Sequence, residues 1–339
     1  LRNKGILGQP PRHYSFLSSL TYPLKKLAKI LICRLLILSA FSILIGASDA
    51  PCREIHDPQV AVLVSQDIRP YIEAVEGLNV LLEKAAKARL EVFHLEKFKG
   101  KERTDLAQRL ANNKFDLFVA IGPDAARFVS SEISSEKTPR IFSMVLNPEK
   151  VLGHAKGVAG ISLNIPVQAQ LEIIRSVLPD IKSIGILYDP DYNADFFREA
   201  AINASSRDLR VIPLGVSSKK EIPIVLKQHW KDMDALWLIP DRTVISETIV
   251  QYVIKNALFE KVPVIGFNRF FYESGAALAF VFDYKELGEQ CAREALRILS
   301  GETSNKMPPV FRAWVNAKAM RNLGIKLREE YPPPVILGP

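Results

Sequence analysis

Apolar residues along this chain fall into two alternating rhythms. Short aliphatic and β-branched runs recur at 59–64 (QVAVLV), 116–122 (DLFVAIG), 139–146 (PRIFSMVL) and 183–188 (SIGILY). Runs of that length and texture predict parallel strands covered on both faces. Between them, apolar positions recur three and four residues apart. Ile72, Val75, Leu78, Leu82 and Ala86 mark a helix over 71–88, and Val167, Leu171, Ile174, Val177 and Leu178 mark another over 167–178. A third spans 284–300, with Leu287, Cys291, Ala295 and Ile298 on one face and Gly301 to end it. Pro166 suits the first turn of the 167–178 helix and Pro179 stops it. Strands alternating with helices predict an α/β protein with doubly wound parallel sheets.

The pattern repeats. VAVLVSQD at 60–67 corresponds to IGILYDPD at 184–191, an offset of 124, and KTPRIF at 137–142 corresponds to KVPVIG at 261–266 at the same offset. Between these, LEVFHL at 90–95 matches LRVIPL at 209–214, and DLFVAIGPD at 116–124 matches DALWLIPD at 234–241. Four matches in order at a near-constant offset predict two equivalent βα lobes lying face to face. The last part departs from the repeat. It reads as a strand at 275–283, the 284–300 helix, a strand at 310–315, a short helix at 317–323 and a loose tail over 331–339.

The chain of 339 residues has a net charge of +8, which raises the question of nucleic-acid binding. Residues 1–50 carry seven Lys/Arg and one acid, so six of the eight positive charges sit there and only two remain for the rest. A nearly neutral body lacks the electrostatic footprint of a nucleic-acid binder. The basic segment is instead built like a secretory signal. Lys25, Lys26, Lys29 and Arg34 precede the apolar run 35–47, and small residues follow at 46–50. Export to the periplasm or another extracytoplasmic space is expected, with a retained N-terminal anchor as the alternative. The three cysteines are Cys33, Cys52 and Cys291, with no CxxC, so neither a zinc ribbon nor a redox pair is expected. Cys52 sits where a lipidated cysteine would sit, behind a poor lipobox of Asp49, Ala50 and Pro51, and a Cys52–Cys291 disulfide is the other use open to it.

The stretch GISLNIPVQAQLEIIRSVLPDIKSIGILYDPDYN at 160–193, with ALWLIPDRTVIS, VPVIGFNRFFYESGAAL and DYKELGEQCAREALRILSGE further on, resembles the substrate-binding proteins of ABC transporters. The similarity runs over about 58–325 and is nearest to the branch that includes tryptophan- and tyrosine-binding proteins. It implies the type I periplasmic-binding-protein fold, with two Rossmann-like lobes, three crossings between them and a ligand cleft in the gap. On that template the crossings fall near 157–162, 267–275 and 306–310. Lobe 1 then comprises 56–157 and 275–305, and lobe 2 comprises 158–268 and 306–330. The implied partners are a small-molecule ligand and a membrane permease, and a monomer without cofactor or metal is expected.

In open α/β sheets ligands bind beyond the carboxyl ends of the strands. That rule selects Ser65, Gln66, Gly122, Pro123, Asp124 and Asn147 from the first lobe. From the second it selects Tyr188, Asn193, Asp241, Thr243 and Asn268. The set suits an amino acid. Helix-start N–H groups and hydroxyls can hold a carboxylate, Asp241 or Asp189 can pair with an ammonium, and Tyr188, Phe267 or Phe270 can stack on a side chain. Each has a plainer reading. Asp124, Asp241 and Asn193 serve equally as helix caps, Asp189-Pro190 as a turn, and Tyr188 and Phe267 as core. Where the related family commonly carries an acid-rich segment, this chain has Asn268-Arg269, a positive charge suited to an anionic ligand group. No GxGxxG, P-loop, GxSxG or HExxH occurs, the histidines are scattered singly, and the calcium-loop likeness at 189–200 lacks its glycine and terminal glutamate. The expectation is a non-enzymatic solute-binding component of an ABC importer, with an extracytoplasmic ligand-sensing domain of a signalling system as the alternative.

Overall fold

The computed structural model describes residues 57–134, 138–153 and 158–339. The expected signal or anchor, Cys33 and Cys52 lie outside the described residues. Among the described residues no helix is long and apolar enough to cross a membrane.

Two sheets organise the chain. The first contains β1 (Gln59–Val64), β2 (Arg89–His94), β3 (Leu117–Ile121), β4 (Arg140–Val145), β5 (Ala159–Ser162) and the two-residue β11 (Lys306–Met307). The second contains β6 (Ser183–Tyr188), β7 (Arg210–Gly215), β8 (Ala235–Leu238), β9 (Val264–Gly266), β10 (Leu278–Val281), β12 (Arg312–Val315) and β13 (Val335–Leu337). Their spatial orders are β2-β1-β3-β4-β5-β11 and β7-β6-β8-β9-β10-β12-β13. The first five strands therefore stand in the same order in both sheets, as the sequence repeat predicts. Pairing is parallel throughout except between β10 and β12.

Helices cover both faces of each sheet. Lobe 1 carries α1 (Arg69–Ala86), α2 (Lys101–Asn112), α3 (Pro123–Ser131) and α4 (Pro148–Leu152). Lobe 2 carries α5 (Val167–Val177), α6 (Pro190–Ser205), α7 (Ile222–His229), α8 (Glu247–Phe259) and α9 (Arg269–Glu273). Then α10 (Tyr284–Leu299) returns to pack on α1, and α11 (Ala317–Leu323) closes lobe 2. The continuous apolar strands are the reason two faces can be covered. In β1, Val60, Val62 and Val64 pack with Leu78 and Leu287 on one side, while Ala61 and Leu63 pack with Leu106 and Phe128 on the other. In β6, Ile184 and Ile186 face Leu171 and Ala200, and Leu187 faces Leu226 and Val253. A period of two with both phases buried is what a parallel central strand requires.

Among the described residues the chain passes between lobes at 163–166, at 282–283 and at 308–311. The middle crossing differs from the expected 267–275, and with it the assignment of 275–305 to lobe 1. Leu278 and Ala279 register with Ile265 and Gly266 of β9, and Leu278–Val281 runs antiparallel to β12, so this strand belongs to lobe 2. A buried apolar run carries no mark of which sheet it joins, which is why the boundary falls later than the sequence suggests. Likewise β5 extends lobe 1 to Ser162, because Ala159–Ser162 pairs with β4. The tail is not loose over its whole length. Val335 is buried and β13 pairs with β12, while the Tyr272 hydroxyl donates to the Pro339 carbonyl at 2.6 Å.

The repeat also preserves a brace. Just before β3, Asp116 Oδ2 accepts from the Gln59 N–H at 2.8 Å, and just before β8, Asp234 Oδ2 accepts from the Ser183 N–H at 2.8 Å. Asp234 Oδ2 also takes the Lys182 N–H at 2.8 Å and the Ser183 hydroxyl at 2.9 Å. Burial pushes the Asp234 carboxyl up, but these donors outweigh it and hold it below the usual aspartate value. A depressed carboxyl contributes stability above its unfolded pKa and loses it as pH falls through the folded one. Asp234→Ala should therefore destabilise the protein by about 1 kcal/mol at neutral pH. Urea melts across a pH series should show that difference closing below about pH 4.

Candidate ligand-binding cleft

The strand order brings the carboxyl ends of β4 and β5 opposite those of β8 and β9, and a cavity of about 580 Å³ lies between them. Lobe 1 lines it with Leu146, Asn147 and Lys150 around the start of α4, and with Asn164 and Ile165 from the first crossing. Lobe 2 contributes Tyr192, Asn193 and Phe196 from α6, Ile239 and Pro240 beyond β8, and Phe267 and Asn268 beyond β9. Phe282 and Tyr284 come from the middle crossing, and Met307 and Pro308 from the third. All three crossings therefore border the cavity, which places it on the hinge side of the gap.

Three of the eleven sequence-selected residues meet there, namely Asn147, Asn193 and Asn268. The other eight lie outside its lining. Ser65 is buried and its Oγ accepts from the Ala125 N–H at 2.9 Å, which fixes the start of α3 against β1. Gly122, at φ +90, is needed because a Cβ there would stand 2.7 Å from both Ser65 Oγ and the Tyr71 ring. Gln66 and Pro123 are exposed. Asp124 is bound by Arg103 at 3.0 Å, and Arg103 reaches Glu132 as well; these carboxylates raise the guanidinium pKa further. Tyr188 stacks on Phe197, with rings 5.0 Å apart and 3° from parallel, inside the core of lobe 2, and burial raises its hydroxyl pKa.

Asp241 and Thr243 belong to a knot beneath the cavity. The Asp241 carboxylate accepts from the N–H groups of Asp189 (2.8 Å), Thr243 (2.9 Å) and Val244 (3.1 Å) and from Asn193 Nδ2 (2.7 Å). The Thr243 hydroxyl donates to Asp189 Oδ2 at 2.6 Å, and Asp189 Oδ1 caps α6 through the Asp191 N–H at 3.0 Å. The knot ties the ends of β6 and β8 to the first turn of α6. It explains why α6 kinks at Asn193, whose backbone (φ −128, ψ 19) leaves the helical range while its side chain reaches Asp241.

The cavity's amides are each held. Asn147 sits in the left-handed region (φ 49, ψ 60), where asparagine is tolerated better than most residues. Its N–H donates to Asn164 Oδ1 at 2.8 Å, and Asn164 Nδ2 donates back to Asn147 Oδ1 at 2.9 Å. Asn268 caps α9, accepting from the Phe271 N–H at 3.2 Å. Across the gap Lys150 Nζ donates to the Tyr192 carbonyl at 2.7 Å, while Lys306 pairs with Glu149 at 3.2 Å. Aromatic rings supply much of the apolar wall, Phe196 edge-on to Trp237 at 5.3 Å and Phe267 against Phe271 at 4.4 Å.

Sequence reasoning missed Asn164, Lys150, Tyr192, Phe282 and Tyr284. Asn164 and Phe282 follow β5 and β10 within two residues, so the strand-end rule would have found them had those two strands been placed in their sheets.

The sequence model of the family described as ABC transporter substrate binding protein matches residues 59–331. The chain belongs to this family. A tyrosine-binding protein of Clostridioides difficile (strain R20291) is 23% identical to this substrate-binding protein over 214 residues, 60% of this chain. The match spans 60% of that relative's own length. Among solved structures, a ligand-free, open substrate binding protein with adhesive properties from Clostridium difficile is similar at a TM-score of 0.70 and 21% identity, over 83% of this chain and 99% of that one. An ABC domain in complex with L-Trp from Streptococcus pneumonia is similar at a TM-score of 0.55 and 23% identity, over 80% and 96%. These likenesses match the two-lobed α/β fold of the substrate-binding protein described above.

Proposed function

We propose that this substrate-binding protein is the extracytoplasmic capture component of an ABC importer. It holds an amino acid or a related compound between its lobes and delivers it to a membrane permease. The observation that carries this reading is the cavity of about 580 Å³ bordered by both lobes and all three crossings. Its volume falls in the range of about 300–1,000 Å³ typical of small-ligand sites. A ligand bridging two lobes favours their closed arrangement by its contacts to both, which is how such a protein reports occupancy to a permease. The walls suit an amino acid with an apolar or aromatic side chain. Phe196, Phe267 and Phe282 give ring contacts, and Asn147, Asn193 and Asn268 give polar ones. The tyrosine-binding relative and the L-Trp complex favour the same ligand class.

Thermal unfolding of solute-free protein against amino acids, sugars, purines and small carboxylates tests this. A ligand at a hundred times its Kd adds about 2.7 kcal/mol, an easily measured rise in Tm. Amino acids alone should produce it. A rise with sugars or purines and none with amino acids would overturn the assignment of ligand class.

A further inference from the structure

The four asparagines that line the cavity, Asn147, Asn164, Asn193 and Asn268, are each locked by a hydrogen bond, and the sense of the lock differs between the Asn147–Asn164 pair of lobe 1 and Asn193 of lobe 2. In lobe 1 the Asn147 N–H donates to Asn164 Oδ1, which fixes that oxygen inward and turns Asn164 Nδ2 onto Asn147 Oδ1. Both side-chain oxygens are thereby turned onto the pair itself. What remains is Asn147 Nδ2, with no hydrogen-bond partner among the described residues, and the second N–H of Asn164 Nδ2. An amide has two donors on nitrogen and acceptor capacity on oxygen only, so this face offers donors.

In lobe 2, Asn193 shows the reverse. Asn193 is 9% exposed and spends its Nδ2 on Asp241 Oδ2 at 2.7 Å and the Pro240 carbonyl at 3.3 Å. Both its N–H donors are occupied, so its Oδ1 is the group left for the cavity. Asn268, on the same lobe, accepts from the Phe271 N–H and has only donors to spare, so lobe 2 is not uniformly accepting. The field across the gap runs in the sense of the first two locks. Lys150 and Lys306 line the lobe 1 side, where Glu149 offsets Lys306, and Asp195 and Glu199 line the lobe 2 side, where Arg198 offsets Asp195. Lys150 is engaged with the Tyr192 carbonyl and Lys306 with Glu149, so neither ammonium is as free to clasp an anion as the amide pair.

We infer that the Asn147–Asn164 pair takes the carboxylate of an amino acid from lobe 1 while Asn193 Oδ1 takes its ammonium from lobe 2, so that the zwitterion lies across the gap. This rests on the amino-acid reading above. It makes the two lobes read opposite ends of one ligand, so that neither half-ligand can engage both faces.

The decisive variant is Asn147→Asp. It keeps the backbone N–H to Asn164, keeps an oxygen to accept from Asn164 Nδ2, and tolerates the left-handed backbone. Only the outward group changes, from an amide N–H to a carboxylate oxygen. Calorimetric titration of the wild type with L-tyrosine, L-tryptophan and L-leucine selects the working probe. That probe is then compared with its decarboxylated and deaminated analogues, which for L-tyrosine are tyramine and desaminotyrosine. Asn147→Asp should weaken L-tyrosine and desaminotyrosine about 100-fold or more, as loss of charge-assisted hydrogen bonds and new repulsion require. Tyramine should stay within about threefold, since it lacks the group that Asn147 would hold. Asn193→Ala should do the converse, weakening L-tyrosine and tyramine and sparing desaminotyrosine. Asn147→Gly, which suits the same backbone without adding a charge, should follow Asn147→Asp and guards against misfolding of the latter. If Asn147→Asp and Asn147→Gly leave the amino acid within threefold of wild type, or weaken tyramine as much as L-tyrosine, the inference falls and the amino-acid reading stands. If none of the three amino acids binds wild-type protein, both fall.

Discussion

Asp241→Ala is expected to lower stability by about 4 kcal/mol, a loss measurable by urea denaturation. The residue is 1% exposed, and its two oxygens take four donors from three separate points of the chain. Alanine would leave those donors in a closed site without an acceptor, at about 1–3 kcal/mol each before relaxation and without simple additivity. The damage would not stay local. The Asp189 N–H follows β6, Thr243 and Val244 follow β8, and Asn193 holds the kink of α6. With the carboxylate gone, Asn193 Nδ2 is freed to turn, and the cavity loses the fixed sense of its lobe 2 acceptor. Amino-acid affinity should therefore fall even in conditions where the variant remains folded. A stability loss below about 1 kcal/mol would mean that water enters and replaces the carboxylate, and that the knot does not set the geometry of α6.

Asp241 also shows what was and was not legible in the sequence. Reading the ends of apolar strands locates Asp241, Asn193, Asn147 and Asn268 correctly as groups at the mouth of parallel sheets. It does not tell which of them face the gap and which face down into the frame. That choice depends on partners about fifty residues away, such as Asn193 for Asp241, and no local spacing records it. The lobes themselves were legible because both faces of the central strands, such as β1, β3, β6 and β8, are buried, which writes continuous apolar runs into the chain. β10 is the counterexample. GAALAFVFD is an equally clear strand, yet its place beside β9 and β12 is a matter of register between distant segments. The two ends of the cavity missed for that reason, Asn164 and Phe282, are the residues that follow the strands placed least well. Asn147 was found because β4 was; its partner Asn164 was not, because β5 read only as an extended crossing.

Gly288→Val should be among the most damaging single changes outside the cleft, and its sign runs against ordinary helix propensity. Glycine inside a helix is normally less stable than alanine by about 0.5–1 kcal/mol, so filling Gly288 would be expected to help. Here α1 and α10 cross at glycines. A Cβ on Gly288 would run into the Ala74 carbonyl, and one on Gly77 into the Lys285 carbonyl. Backbone atoms cannot step aside as the end of a side chain can, so the helices would have to separate, at about 3 kcal/mol or more for valine. Separation matters for ligand capture because α10 sets two of the crossings. Its first residue, Tyr284, lines the cavity, and Gln290 brackets the third crossing, donating to the Pro308 carbonyl at 3.0 Å and accepting from the Val310 N–H at 2.9 Å. Arg312 adds an ion pair to Glu286 at 2.8 Å. A displaced α10 should thus lower both the urea midpoint and the affinity for amino acids. Gly77→Ala and Gly288→Ala, made singly, should each destabilise, and together should lose less than the sum, since either one already opens the same contact. Full additivity, or a rise in stability for Gly288→Ala, would show that the helices are not held at the separation the two glycines permit.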